Sequence, residues 1–424
     1  MNETPQSVTP EAAELLVELL SERSVGTHID VPTWPAIARE AIQQHVLPLL
    51  HARIRSLPAE MVPAATAAAI RERYVNQALQ SALIFRELDL IASTLAKQGI
   101  PIVLLKGLHL AADVYAEPGM RSMGDLDVMV PRDRLGDAAK ALADAGFVGA
   151  PVEDLDDFCR TNSHLPRMAP PKGKGLGLEV HWTIELPTSP FDIRPAELWA
   201  KAQPLTVNQR ELLVLSPEHL LLHLCLHACH HHKLNHTPLK QLCDVAVVLR
   251  RYEQRIDWDV LIGTAERWRI QPFVRFMLML THVLLGSRVP DAIQSLPADA
   301  EEARLIENAR AYILNRTIVM PTALTQAVRA RNWARRLRAV GRHVFPRPAR
   351  MASIYGLPTP SARVYLWYFL RPFDLFIRKG RLTLELLLPG RVGRRMRYTE
   401  SNRALLKSSL REWAQAAGPP ANDG

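Results

Sequence analysis

Asp125 and Asp127 stand two residues apart in Gly124-Asp125-Leu126-Asp127, inside a short run that ends at Val130-Pro131. On a strand, side chains at i and i+2 project to one face, so both carboxylates point the same way. Two carboxylates held that close repel each other unless a cation lies between them. Hard oxygen donors of this kind suit Mg2+, with Mn2+ as the alternative ion. Leu126, Val128 and Val130 then anchor the opposite face in a core. A third acid, Glu179, lies in Leu178-Glu-Val-His-Trp-Thr-Ile-Glu185. There Glu179, His181, Thr183 and Glu185 share one face of an expected strand, and Leu178, Val180, Trp182 and Ile184 the other. Two acids that hold metal ions, with a third serving the ion that activates a hydroxyl, are what two-metal phosphoryl transfer needs.

The elements that must position these acids follow from periodicity. Ile100–Leu105 is a continuous apolar run that reads as a buried strand, ended by Lys106-Gly107 and followed by a helix from Leu108 to Tyr115. Glycine lets a phosphate approach the backbone, a helix N-terminus offers free N–H groups, and lysine adds positive charge. Arg121, four residues before Asp125, is placed either to bind a triphosphate oxygen or to pair with Asp125. His181 faces the same side as Glu179, to orient an acceptor or to hydrogen-bond within the sheet. Helices are expected over 10–24, over 36–56 with a kink at Pro48, and over 64–97. In the last, Leu79, Leu83, Leu88, Ile91 and Leu95 form the apolar stripe and Gly99 the C-cap. Further helices are expected over 132–146, 217–232, 238–251, 257–269 and 271–286, with a hairpin over 204–215 turning at Asn208-Gln209. The fold class is α+β, a small mixed β-sheet core flanked by mostly helical N- and C-terminal regions.

The order strand, glycine turn, helix, Asp-x-Asp strand, helix, carboxylate strand resembles the polymerase-beta-like nucleotidyltransferase superfamily. More closely, it is similar to an uncharacterised bacterial nucleotidyltransferase family with a Leu-Lys-Gly turn and an Arg-x-x-x-Asp-x-Asp element. Here these read Leu105-Lys106-Gly107 and Arg121-Ser-Met-Gly-Asp125-Leu-Asp127. The likeness takes in Leu178-Glu179-Val-His181-Trp182, His227, His231 and Asp244, and covers roughly residues 60–290. It implies transfer of a nucleoside monophosphate from a nucleoside triphosphate (NTP) to an acceptor hydroxyl or phosphate, with pyrophosphate leaving. It implies that Asp125, Asp127 and Glu179 are the metal ligands and catalytic residues, and that Lys106, Gly107 and Arg121 bind the nucleotide. His181, His227, His231 and Asp244 would meet the acceptor or line the cleft. Lys106-Gly107 departs from the Gly-Ser turn of better-known relatives, leaving Lys106 to supply the missing serine's phosphate contact. On this reading 1–95 is an N-terminal helical region, 96–200 the nucleotidyltransferase core, 201–320 a helical domain and 321–424 a basic C-terminal region. The alternative is a catalytically degenerate adaptor of the same fold that binds a membrane surface or protein partner through 321–424.

His219, His223, His227 and His231 recur every four residues, a spacing found in zinc sites. The glutamate base of zinc hydrolases is absent, and an amphipathic helix with Leu221, Leu222, Cys225 and Cys229 inward explains the same spacing. The formal charge of +9 is uneven: residues 321–424 hold 20 Lys+Arg against 5 Asp+Glu, leaving 32 against 38 for the rest. Residues 96–190 hold 10 Lys+Arg against 13 Asp+Glu, so a polyphosphate site there needs metal ions for its positive charge. Two arginine clusters (Arg329 to Arg342, Arg391 to Arg397) flank the aromatic run Tyr365–Ile377. Such a region suits an interfacial helix on anionic lipid, or solvated arginines around aromatics packed on the helical domain. No recognised nucleic-acid motif accompanies it, so nucleic acid is not the expected partner. Four cysteines without regular spacing exclude a disulfide framework. The acidic N-terminus is no secretory signal, and the apolar window Phe273–Gly286 is too short to span a bilayer and contains Arg275. The expectation is a cytoplasmic protein that touches the inner face of the membrane through its basic region.

Overall fold

A computed structural model describes residues 10–23, 29–173, 175–235, 237–296 and 302–315, positions between 334 and 374, and 391–418. The chain forms two compact units. The one made of residues 8–310 with 406–424 contains the sheet and every candidate site residue.

Helices α1 (Pro10–Leu20), α2 (Trp34–Gln43), α3 (Leu47–Ile54) and α4 (Ala64–Ala96) come first. The expected kink at Pro48 is instead a full break: His45 turns left-handed (φ 57°) and Pro48 falls in the first turn of α3. Proline is favoured there, because the N–H it lacks has no helical partner. In α4 the buried stripe is Ile84, Phe85, Leu88, Ile91, Ala92 and Leu95, and Leu79 and Leu83 are exposed. The step from residue 83 to residue 88 rotates the helix by about 140°, which carries the two leucines off the core face.

Strand β1 (Val103–Leu104) leads into α5 (Lys106–His109), which continues as a wider π turn over Leu110–Val114. Then follow β2 (Asp125–Met129), α6 (Leu135–Asp144), α7 (Leu155–Cys159), β3 (Gly177–His181) and α8 (Pro195–Ala200). The hairpin β4 (Gln203–Val207) and β5 (Arg210–Val214) turns at Asn208 and Gln209, both at positive φ (47° and 65°), the type I′ geometry that matches strand twist. The sheet order is β3-β2-β1-β5-β4. β1 lies antiparallel to β2 and parallel to β5, and β2 runs parallel to β3. The mixed sheet with helical flanks is the α+β class that the sequence indicates.

One face of the sheet is apolar. Leu104, Leu126, Val128, Val130, Leu178, Val180 and Val214 pack with the inner stripe of α4 and with Leu135, Ala138 and Leu142 of α6. β3 ends at His181, four residues short of the expected strand. Its neighbour β2 is stopped by Pro131, and after Val130 N–H donates to His181 O no edge remains to pair with.

Helices α9 (Pro217–Leu226), α10 (Pro238–Arg251), α11 (Trp258–Arg267) and α12 (Gln271–Leu285) complete the unit's main helical part. Ser216 caps α9, its hydroxyl accepting from His219 N–H. α9 is buried on every side, His219 and His223 included, so it is a core helix rather than the amphipathic one expected. Leucine at 220, 221, 222, 224 and 226 leaves it no polar face. Past Leu226 the backbone widens into a π turn over His227–His231. Among the described residues, no helix is long and apolar enough to cross a membrane. Arg329 and Arg331 to Arg336, apart from Ala334, lie outside the described residues.

Candidate active site

The parallel register of β2 and β3 sets Asp127 directly beside Glu179 and Met129 beside His181. Period-two alternation therefore puts Asp125, Asp127, Glu179 and His181 on one face, opposite the apolar core. Asp127 is buried, while Asp125 and Glu179 are partly exposed. One ligand atom each of Asp127, Glu179 and His181 lies within 4.8 Å of the others, the only such His/Cys/acid trio among the described residues. Two carboxylates and an imidazole are a donor set that fits a divalent ion, with Asp125 alongside. The histidine repeat on α9 assembles no comparable group among the described residues, and Cys225 and Cys229 are buried core thiols.

Asp127 Oδ1 accepts from two sides, from Lys106 Nζ at 2.9 Å and from His181 Nε2 at 3.0 Å. His181 Nε2 is also 3.7 Å from Glu179 Oε2. His181 Nδ1 is buried without a partner. Burial works against ionising Asp127, but the Lys106 ammonium and the His181 bond overcome it and hold its carboxyl well below the usual range. The His181 imidazole likewise lowers Glu179. Asp125 moves the other way, raised by burial first and then by the charge of Asp127. Neighbouring carboxyls with affinities pushed apart are characteristic of sites built for ion or proton chemistry.

The turn before α5 is strained in order to reach this point. Lys106 sits at φ 39°, a conformation that costs a non-glycine residue on the order of 1 kcal/mol or more. Gly107 is buried under Met123, and a Cβ there would come within 3.1 Å of Met123 Cγ. Any larger residue at 107 would therefore have to push the Met123 side chain aside by a few tenths of an ångström at the cleft wall.

Arg121 pairs with Asp244 on α10 rather than with Asp125. Its Nε donates to Oδ1 at 2.6 Å and its Nη2 to Oδ2 at 2.8 Å, and Tyr115 Oη donates to Oδ1 at 2.8 Å. Arg121 also donates to Ser122 O. The pair clamps α10 to the loop that leads into β2.

A cleft of about 410 Å3 runs between the sheet face and the helices. It is lined by Lys106, Gly107, Arg121, Asp125, Asp127 and Glu179 on one side, and by His227, His232, Lys240, Gln241 and Asp244 on the other. That size is ordinary for a small-molecule site. His227 reaches it and meets His232 through Nε2···Nε2 at 2.8 Å. His231 points elsewhere, to Glu185 Oε2 at 3.0 Å. Sequence reasoning missed Lys240, Gln241 and His232. The signal for the first two was present: 240, 241 and 244 share one face of α10, so placing Asp244 at the cleft places them too.

A family model described as uncharacterised nucleotidyltransferase matches residues 30–286, more than half of the chain. No curated protein and no solved structure matches the chain. The matched span contains the whole sheet, the acidic cluster and the helical wall of the cleft, and the chain belongs to this uncharacterised nucleotidyltransferase family.

Proposed function

We propose that the protein transfers a nucleoside monophosphate from an NTP to an acceptor hydroxyl or phosphate oxygen, in a reaction that depends on Mg2+ or Mn2+. The observation that carries this is the meeting of Asp125, Asp127 and Glu179 with the Lys106-Gly107 turn in one nucleotide-sized cleft. Asp125, Asp127 and Glu179 would hold the ions, with His181 at the edge of the set. Bound divalent ions supply the positive charge that a polyphosphate needs in a net-acidic core and polarise the reacting phosphorus. Lys106 releases Asp127 to the ion and turns its ammonium to a phosphate oxygen, a short movement for a flexible stem. Gly107 admits the phosphate to the backbone. Glu179, the more open of the two cross-strand acids, positions the acceptor oxygen for in-line attack, and pyrophosphate leaves. Most of the acceleration then comes from positioning and charge neutralisation.

One observation favours the degenerate-adaptor reading: the Lys106 ammonium already neutralises Asp127 without any metal. Pyrophosphate release from each of the four common NTPs, with Mg2+ or Mn2+ and an acceptor panel, decides between them. Wild type should turn over and Asp127→Asn should not. No nucleotide binding and no turnover under any condition overturns the transferase. Either way, we assign the C-terminal region a peripheral contact with anionic lipid. The support is its charge and the exposed apolar residues Tyr365, Leu366, Phe369 and Leu370.

A further inference from the structure

His227 and His232 both line the cleft, and their Nε2 atoms lie 2.8 Å apart. Two N–H groups cannot face each other at that distance, so one ring donates and the other accepts. Five residues along an ordinary α-helix turn a side chain by about 140°, which would carry His232 off the face that holds His227. The π turn over His227–His231 removes that offset. His232 N–H donates to His227 O at 3.0 Å, an i to i+5 bond that stacks the sixth residue over the first. His231, which the four-residue repeat would align with His227, has its Nε2 against Glu185 Oε2 instead. A π turn interrupts the regular ladder and recurs at functional sites. Here it delivers an imidazole pair to the wall opposite the carboxylates.

The pair is suited to take up a proton rather than to carry a charge. Burial, and then the Lys106 ammonium and the imidazoles of His232, His223 and His231, hold His227 well below the usual histidine range. It is therefore neutral near pH 7. With His227 as the donor at Nε2, its Nδ1 keeps a lone pair, and a proton taken there releases the Nε2 proton to His232. His232 is partly exposed, which opens that end of the relay to water.

We propose that the His227–His232 pair is the base that takes the acceptor's proton, and that the acceptor is therefore a hydroxyl compound rather than a phosphate. This rests on the transferase reading of the carboxylate face. A phosphate is already anionic near neutral pH and attacks without a base, whereas a hydroxyl must shed its proton as it attacks. The acceptor O–H bond breaks and its proton joins the pair. The electron pair left on oxygen forms the bond to the α-phosphorus, and the bond from that phosphorus to the bridging oxygen breaks, its electrons leaving on pyrophosphate. The proton then passes through His232 to water. His227 meets the acceptor and is the catalytic residue of the two; His232 fixes its tautomer and is the positioning residue. Glu179 holds the same acceptor oxygen from the sheet side.

The test compares full-length wild type, His227→Gln and His227→Ala for pyrophosphate release from the four common NTPs with Mg2+. Water, glycerol and a panel of sugars serve as hydroxyl acceptors, inorganic phosphate serves as the anionic one, and NTP affinity is measured calorimetrically alongside. With a hydroxyl acceptor both variants should lose about 100- to 10,000-fold in kcat. Their NTP affinity should stay within about twofold of wild type, and added imidazole should restore part of the lost rate to His227→Ala. Hydroxyl transfer within about twofold of wild type in both variants overturns the base and leaves the transferase standing. So does a loss that NTP affinity shares or that imidazole fails to restore, which marks a structural role. Wild type that transfers to inorganic phosphate and to no hydroxyl overturns the acceptor assignment alone. Wild type that releases no pyrophosphate with any acceptor overturns the base and the transferase together.

Discussion

A single oxygen, Asp127 Oδ1, is held by both the Lys106 ammonium and the His181 imidazole. It is the most polarised acid of the site, and the one whose removal the chemistry should feel most. Asp127→Asn keeps the shape, removes the charge and should lower nucleotidyl transfer by about 100-fold or more. Mn2+ titration followed by electron paramagnetic resonance should show the same variant losing ion binding. Retained tight Mn2+ binding would move the ion site elsewhere. Asp244→Asn should fail differently. Arg121 is only 12 % exposed, and an amide cannot balance its charge, so the variant should lose about 3 kcal/mol of unfolding free energy in urea. A loss below about 1 kcal/mol would show that the clamp matters little.

Elements set conditions that single residues do not. α5 starts at a strained lysine, and its last residue, His109, is fully buried with neither ring nitrogen partnered. Burial depresses its pKa from 6.5 to about 4. The folded protein therefore keeps His109 neutral while the unfolded chain takes up a proton below about pH 6.5, so stability falls as pH drops from 6.5 towards 4. At about 1.4 kcal/mol per pH unit the full loss from this site is about 3 kcal/mol. Replacing His109 by Leu should flatten the stability–pH curve over that window by about one proton, as read from urea midpoints. A curve parallel to wild type would place the acid sensitivity elsewhere, with the buried His223 and His227 the next groups to test.

At the scale of the whole molecule, charge divides along the chain. The core over 96–190 is net acidic, with 10 Lys+Arg against 13 Asp+Glu, while the excess of arginine lies beyond residue 320. In the helical stretch 364–372, Tyr365, Leu366, Phe369 and Leu370 are exposed at i, i+1, i+4 and i+5, one face of a helix. Trp367 and Tyr368 pack instead against Met351 and Val364. An exposed apolar face in a basic region suits the surface of an anionic bilayer. Full-length protein should cosediment with vesicles containing phosphatidylserine and not with phosphatidylcholine alone, and Leu366→Ser with Phe369→Ser should reduce this severalfold. Equal sedimentation with both vesicle types, or no effect of the double substitution, would rule the contact out.

The faces of the strands were legible locally. Two acids at i and i+2, flanked by Leu126, Val128 and Val130, already imply one acidic and one apolar face, because strand alternation depends on neither partner nor register. The same holds for the positive-φ turn at Asn208-Gln209 and for the proline and serine that start α9. Partnership was not legible. Periodicity says which way a side chain faces, and not what it meets. Arg121 had Asp125 four residues away, but pairs with Asp244, which lies 123 positions on in the chain and offers both oxygens in a part-buried fork. Leu79 and Leu83 were indistinguishable in pattern from core residues until the sheet defined which side of α4 it covers. β3 stops at His181 because a proline ends its neighbour. Lys240 was one lysine among many until packing set its ammonium against Ser122 O at the cleft. Faces follow from backbone geometry over a few residues, whereas ion pairs and register depend on distances and desolvation that exist only once remote segments have packed.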